Sequence, residues 1–399
     1  MRPWSGRNVL LGVAGGIAAY KSVQIARDLT QLGALVDVVL THSAREFVGP
    51  VTFEALTGRP VHTDLIAEGK ALDHIRLARG ADVVCVAPAT ADLLARAAAG
   101  RSDDLLTAIL LATTSPVILC PAMNDAMWAH PQTRLNAKHV SEVLGYRMVG
   151  PAVGPLAEGD TDQPGRMEEP PTIIAHISRA LEKDSALCGK RVVVTAGPTR
   201  EAVDPVRVLS NRSSGRMGYA LASAAWRRGA DVVLISGPAS IPVPVGPRLV
   251  AIETSEEMAS AVRGAIGDAD VLVMAAAVAD FRPAMPAQSK IKKSSGVSAI
   301  ELEHAPDVLK VTRDARNPRL KVVGFALETD AHEANAKKKL EEKGMDLIVL
   351  NDATEPGAGF EVATNKVTIY SRAGEKLEIP LMSKDEVADA ILDSLVRIL

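Results

Sequence analysis

The sequence predicts an α/β protein made of two consecutive doubly wound domains, each a mostly parallel, three-layer, Rossmann-like sheet. Three observations predict it. Short β-branched runs recur, each followed by small or turn residues and then by a helical pattern. The runs are apolar on both faces, as strands covered by helices on both sides must be. The alternation of strand and helix runs along the chain, which calls for crossover connections and parallel strands.

In the first half the strands are read at Val9–Val13, Val36–Leu40, Val83–Ala87 and Val117–Cys120, with helices at Ala18–Gln31, Thr90–Ala99 and Asp104–Thr113. In the second half they are Val192–Thr195, Val232–Ser236, Val271–Met274, Val322–Phe325, Leu347–Leu350 and Val367–Tyr370. Helices are read at Met217–Arg228, Glu256–Ile266 and Asp330–Lys343. Gly-Ala-Asp-Val precedes a strand at Gly80–Val83 and again at Gly229–Val232, where glycine suits the end of a helix. The Pro/Gly-rich stretch Gly150–Pro171 is too long for an ordinary connection and reads as a functional flap. Pro283–Gly296 reads as a mobile loop. The polar stretch Lys183–Lys190 is the better boundary, dividing the chain into domains 1–187 and 188–399.

Composition bounds the function. The chain has 399 residues, suited to two or three domains at roughly 150 residues each. A net charge of −3 and only twelve aromatic residues (3 Trp, 4 Tyr, 5 Phe) give no electrostatic or stacking case for nucleic acid, and none for an anionic membrane. An apolar fraction of 47% excludes a disordered chain. Cys85, Cys120 and Cys188 are odd in number and far apart, so they form no disulfide framework. Arg2 and Arg7 before VLLGVAGGIAAY resemble a secretion signal, but the pattern runs on through KSVQIARDLTQLG without a cleavage-like break. A cytoplasmic location is expected.

In doubly wound sheets ligands sit at the carboxyl ends of strands. Gly12–Lys21 joins a strand to a helix there, and it is either a phosphate cradle or a plain turn. It lacks the GxGxxG spacing, which counts against a nicotinamide-dependent dehydrogenase. Thr90, in Ala87-Pro88-Ala89-Thr90-Ala91-Asp92, can cap a helix or bind a ligand. Asn124 in Pro121-Ala122-Met123-Asn124 can orient a carboxylate or tie a loop. His74 has the pKa of a general base if it faces a cleft. In the second half, Thr195–Glu201 and the Ser/Gly-rich Ser210–Gly218 offer anion sites that are equally ordinary turns and helix starts. Lys339 and Lys343, spaced i,i+4, share one side of a helix.

Together the segments GGIAAYK, His74, APATAD, PAMN and GRM resemble the flavin-dependent cysteine decarboxylase family. With TAGPTRE, DPVR, SNRSSGRMG, AAAVAD and KIKK, the whole chain resembles the bifunctional coenzyme A biosynthesis family. There a phosphopantothenoylcysteine decarboxylase is joined to a phosphopantothenate–cysteine ligase. The resemblance implies a flavodoxin-like first domain with FMN at Gly15, Gly16, Ile17, Ala18, Thr41 and Ala87, Pro88, Ala89, Thr90, Ala91, Asp92. It makes His74 the base and has Asn124 hold the substrate carboxylate. It implies a CTP site at Met274, Ala275, Ala276, Asp280, Lys290, Ala305, Pro306, Asp307, Val308, Phe325, Lys339 and Lys343. Asn211 would position the acid and its acyl-cytidylate. Mg²⁺ would come with CTP, its ligands unknown. Partners are 4′-phosphopantothenate, cysteine and CTP, with homo-oligomers of decarboxylase trimers and ligase dimers forming a dodecamer.

The chemistry agrees with that likeness. The cysteinyl carboxylate has no electron sink until a hydride leaves the carbon bearing sulfur. The C=S group so formed accepts the electrons of departing CO₂. A carboxylate reacts with an amine only once its oxygen is a leaving group, as an acyl-cytidylate provides. Two positions depart from the pattern. Ala305 replaces the usual Asn. Glu158 stands where the flap cysteine that returns the last proton is expected, so Glu158 becomes the expected donor. The alternative is an active ligase carrying an impaired or regulatory decarboxylase-like domain.

Overall fold

A computed structural model describes residues 4–66, 68–69, 71–159, 161–182, 184–292, 299–328, 332–352 and 362–399. The chain divides into two compact units, Met1–Lys183 and Asp184–Leu399.

The first unit runs β1 (Asn8–Val13), α1 (Ala19–Gln31), β2 (Leu35–Leu40), α2 (Pro50–Thr57), β3 (Val61–His62), α3 (Asp73–Gly80) and β4 (Val83–Ala89). It continues α4 (Ala91–Ala98), α5 (Leu105–Ala112), β5 (Val117–Pro121), α6 (Asp125–Ala129), α7 (Pro131–Glu142) and β6 (Arg147–Met148). A hairpin of β7 (Ala152–Val153) and β8 (Pro164–Arg166) leads to α8 (Pro170–Leu181). The sheet order is β3-β2-β1-β4-β5-β6, all parallel. The winding reverses between β1 and β4, which opens a crevice at their carboxyl ends. The runs are apolar on both faces because both faces are covered. Val9, Leu11 and Val13 pack with Ile25, Leu29 and Ile177 on one side, while Leu10 packs with Leu93, Leu106 and Ile109 on the other. Each such side chain stabilises the fold by roughly 1.5–3 kcal/mol.

The second unit begins β9 (Arg191–Ala196), a hairpin of β10 (Arg200–Ala202) and β11 (Val208–Ser210), α9 (Arg216–Arg227), β12 (Asp231–Ser236) and β13 (Arg248–Ala251). Then come α10 (Ser255–Ala265), β14 (Val271–Met274), a hairpin of β15 (Phe281–Pro283) and β16 (Leu302–His304), and α11 (Val308–Val311). It ends β17 (Lys321–Glu328), α12 (His332–Glu342), β18 (Leu347–Asp352), β19 (Thr364–Ser371), β20 (Lys376–Ser383) and α13 (Lys384–Val396). The sheet order is β13-β12-β9-β14-β17-β18-β19-β20, parallel as far as β18 and antiparallel at β19 and β20. The winding reverses between β9 and β14, so this crevice has the topological address of the first one.

Glycine decides how α9 lies on the sheet. A Cβ on Gly218 would stand 2.5 Å from the Ala196 Cβ, so only glycine lets the helix start this close to β9. Farther along, Arg227 and Arg228 meet Asp389 of α13, with Arg228 Nη2 donating to its carboxylate at 2.8 Å in a buried cluster. That cluster fixes α9 and α13 side by side.

Candidate functional site

In the first unit the residues singled out above gather at strand ends. Gly15, Gly16, Ile17 and Ala18 form the β1–α1 turn, and their N–H groups have no acceptor among the described residues. A Cβ on Gly15 would collide with the Ser43 hydroxyl, so glycine lets the turn close on the segment after β2. There Thr41 is buried and meets Ser43 Oγ at 3.3 Å. Ala87, Pro88 and Ala89 end β4, and Thr90 caps α4 by accepting from Leu93 N–H at 3.3 Å. Ala91 and Asp92 open that helix, and the Asp92 carboxylate is engaged by Arg96 at 3.0 Å. A row of unengaged backbone donors beside a buried hydroxyl suits a phosphorylated cofactor, so these residues fit FMN.

His74 is the second residue of α3, and its Nδ1 is shut off from solvent with no hydrogen-bond partner among the described residues. An unpaired buried nitrogen costs roughly 1–3 kcal/mol, which a bound ligand at this place would offset. Asn124 Oδ1 caps α6, accepting from Ala126 N–H at 2.9 Å and Met127 N–H at 3.4 Å. Its amide nitrogen remains as the group that can donate to a carboxylate.

The flap is the β7–β8 hairpin. A Cβ on Gly165 would lie 2.6 Å from Met123 O, and Met123 N–H donates to Gly165 O at 3.0 Å. Thr161 Oγ1 donates to Asp125 at 2.7 Å and, with the Ala126 N–H, holds that carboxyl below its ordinary value. The flap is thus laced to the loop that carries Asn124. Glu158 lies exposed in the turn closed by Leu156 and Gly159; Asp160 falls outside the described residues. Cys85 and Cys120 are buried in β4 and β5, where burial and then the neighbouring Cys85 push the Cys120 thiol up.

In the second unit two loops at the β9 and β14 ends are laced together. Ala276 N–H donates to Thr195 Oγ1 at 3.2 Å, Ala279 N–H to Thr199 Oγ1 at 3.0 Å, and Ala277 N–H to Gly197 O at 2.9 Å. Asn211 Nδ2 donates to the carbonyls of Ala277 and Val278 at 3.2 and 3.0 Å. Beside these loops opens a cavity of about 970 Å³. Its lining includes Asn211, Met274, Ala275, Ala276, Asp280, Ala305, Pro306, Asp307, Val308, Phe325, Lys339 and Lys343. Asp307 caps α11 and pairs with Lys343 at 3.2 Å.

Lys290 is the one expected nucleotide contact absent from that lining; it is exposed on the 284–292 loop. The loop is pinned near it by Asp204, whose buried carboxylate accepts from Ile291 N–H at 3.1 Å. Burial pushes that carboxyl up, but the N–H groups of Val206, Ile291 and Arg207 and the Arg207 cation outweigh it, and the net shift is downward. Lys293 and residues 294–298 of that loop fall outside the described residues, as does Asp330.

Sequence reasoning missed five further polar lining residues, His304, Lys310, Asn351, Asn365 and Lys384, whereas Arg216 lies in the Ser210–Gly218 stretch read above as an anion site or an ordinary helix start. Among the described residues no group of three or more His, Cys, Asp or Glu is arranged to hold a metal ion, and no helix is long and apolar enough to cross a membrane.

Known proteins share this organisation. The Flavoprotein family matches residues 2–182, and the DNA/pantothenate metabolism flavoprotein C-terminal domain family matches residues 187–399. The coenzyme A biosynthesis bifunctional protein CoaBC of Vibrio cholerae is 44% identical over 396 residues, covering 98% of each chain. That of Bacillus subtilis is 44% identical over 397 residues, covering 98% of this chain and 97% of its own. That of Mycobacterium tuberculosis is 46% identical over 408 residues, with the same coverage. With such identity along nearly all of both chains, this protein belongs to the CoaBC family of bifunctional coenzyme A biosynthesis proteins.

Proposed function

We propose that the second unit joins 4′-phosphopantothenate to cysteine at the expense of CTP, and that the first unit decarboxylates the product with FMN. As a CoaBC family member the chain is a bifunctional enzyme of coenzyme A biosynthesis, combining decarboxylase and ligase. The full-length match to both halves disfavours the alternative of a ligase with an impaired or regulatory decarboxylase-like domain. The observation that carries the finer reading is the 970 Å³ cavity at the winding reversal, bordered by small residues, an aromatic ring and lysines.

In the ligase step a carboxylate oxygen attacks the α-phosphorus of CTP and pyrophosphate departs. The cysteine amine then attacks the acyl carbon and CMP departs. Asn211 positions the carboxylate and the acyl-cytidylate. Its amide donors are engaged with Ala277 and Val278, so gripping the acid means exchanging one of those bonds. Met274, Ala275, Ala276, Asp280, Ala305, Pro306, Val308 and Phe325 border the nucleotide. Lys339 and Lys343 offset the charge that develops on pyrophosphate, and Lys290 joins them once its loop leaves the position in which Asp204 holds it. Mg²⁺ arrives with the triphosphate.

In the first unit Gly15–Ala18, Thr41 and Ala87–Asp92 hold FMN. When bound, FMN supplies a two-electron acceptor and donor, so that CO₂ can leave into a C=S group. His74 is the base, Asn124 holds the carboxylate, and Glu158 returns the final proton from the flap. The same reading carries a cytoplasmic location and homo-oligomers, with decarboxylase trimers and ligase dimers in a dodecamer.

The test is one reaction of the full chain with phosphopantothenate, cysteine and CTP, followed by mass spectrometry. Pyrophosphate, CMP and the ligated acid are expected, followed by loss of CO₂. A protein that stays colourless after flavin supplementation and releases no pyrophosphate would overturn the reading.

A further inference from the structure

The first unit's flap is tied to the body in two ways, and the roles above use neither. At its far end it is fixed firmly. Lys21 of α1, 6% exposed, donates through Nζ to Met167 O and to Glu169 Oε1, each at 3.0 Å. Gly165 of β8 is buried against the backbone of Met123 and Asp125, which flank Asn124.

The span from Gly154 to Gln163, which carries Glu158, is held differently. None of its described residues is buried. The two hydrogen bonds between Leu156 and Gly159 close a turn within the span itself. Among the described residues, its one side-chain hydrogen bond to the body is that of Thr161 Oγ1 to Asp125 Oδ2 at 2.7 Å. Both ends of this bond are set by backbone. Asp125 Oδ1 accepts from Ala126 N–H at 2.7 Å, which holds the carboxylate at the start of α6. Thr161 Oγ1 accepts from Gln163 N–H at 3.1 Å, which leaves its proton for Asp125. A hydrogen bond to a carboxylate is stronger than one between neutral groups. In a span with so little packing, one such bond weighs heavily in local opening.

The chemistry gives closure a purpose. Once CO₂ has left, the enethiolate must gain a proton on the carbon that lost the carboxylate. That remakes the C=S group, which takes back the hydride and becomes the thiolate of the product. Until the proton arrives, the enethiolate is an anion that an open flap lets escape. We propose that Asp125 and Thr161 form a latch that holds the flap tip against the Asn124 loop until the proton is delivered. They are positioning residues, acting through the flap. The inference rests on the decarboxylase reading for its chemistry.

The experiment uses the full-length protein loaded with FMN and the variants Thr161→Val, Thr161→Ser and Asp125→Ala. One readout is the amount of oxidised enethiol per CO₂ released, by mass spectrometry. As a ratio of products it does not depend on how much enzyme is folded. The other is the rate at which a glutamate-specific protease cuts after Glu158, which needs no turnover. Thr161→Val is expected to raise both about 10-fold, as loss of one charge-assisted hydrogen bond does. Thr161→Ser keeps the hydroxyl and should stay near the wild type. Asp125→Ala should match Thr161→Val, and combining the two should add little, because both remove the same bond. An unchanged cleavage rate in Thr161→Val and Asp125→Ala overturns the proposal, since the bond then does not hold the flap. An unchanged product ratio overturns it too, since closure then does not decide the product. Should one variant not fold, the other decides alone. A wild type that releases no CO₂ refutes the decarboxylase reading, and the cleavage rates then judge the latch by themselves.

Discussion

The two units wind their parallel strands in the same order, outward from a central strand and back, yet they furnish the resulting crevices differently. Around β1 and β4 the chain presents backbone N–H groups, small residues and a few single polar side chains such as Thr41 and His74. Around β9 and β14 it presents a deep cavity bordered by Lys310, Lys339, Lys343, Lys384 and Arg216. The contrast follows from where the reactive electrons and charges come from under the proposed function. A flavin brings its own electronics, so the protein need only hold and orient it. A triphosphate brings charge that must be neutralised as pyrophosphate leaves, which calls for cations at fixed places. One topology therefore serves both, and its chemistry is set by loops at strand ends.

The sharpest way to break this contrast is to remove His74, the base proposed for the first unit, whose Nδ1 has no hydrogen-bond partner among the described residues. His74→Ala is expected to slow decarboxylation by about 10²- to 10⁴-fold, the span of general acid–base catalysis. Pyrophosphate release in the second unit should be untouched, so the ligated acid accumulates and mass spectrometry sees it before CO₂ loss. Equal loss of both activities would mean that the units do not work as separate catalysts.

The strands were the most legible feature of the sequence, because valine-rich runs covered on both faces leave a pattern that turns and surface helices do not. Short edge strands such as Val61–His62 and Arg248–Ala251 were not, since a few residues carry no period. The final helix was missed although its signal is local: Ser383 and Glu386 form a capping box at its start. The nucleotide cavity was legible only through motif resemblance. Small residues such as Ala275 and Ala276 have no side chain that announces a ligand. Lys384 was illegible for a different reason. A single lysine at a helix start looks solvated, and only the packing of α13 on α9 buries it beside Arg216. Lys290 matches a nucleotide contact by motif resemblance alone; its loop is held at Asp204, and it lies outside the cavity lining.

A smaller effect tests the flap. Glu158 is exposed in its turn, where water can partly replace it as a proton source. Glu158→Gln is therefore expected to lower the yield of the reduced product only about 10-fold, at the low end of acid–base effects, with an oxidised enethiol appearing in its place. Unchanged turnover and no enethiol would assign the proton to another group.

The smallest effect concerns charge in a unit that otherwise uses little of it. His176 lies on α8, and burial, then Arg147 and Arg179, lower its pKa from 6.5 to about 4. In the unfolded chain the same imidazole titrates near its ordinary value of 6.5. Between these values the unfolded state binds more protons than the folded one, so stability rises with pH. The contribution of a neutral His176 is complete above pH 6.5 and is lost as the pH falls toward about 4. Thermal unfolding of the full chain, followed by flavin fluorescence, should show a steeper loss on acidification in the wild type than in His176→Gln. The two curves should separate by roughly 2–4 °C. Carboxylates elsewhere titrate alike in both proteins and cancel in the difference. Parallel curves would mean that the imidazole is charged in the folded unit, and that the cations of Arg147 and Arg179 are compensated by a group other than its neutrality.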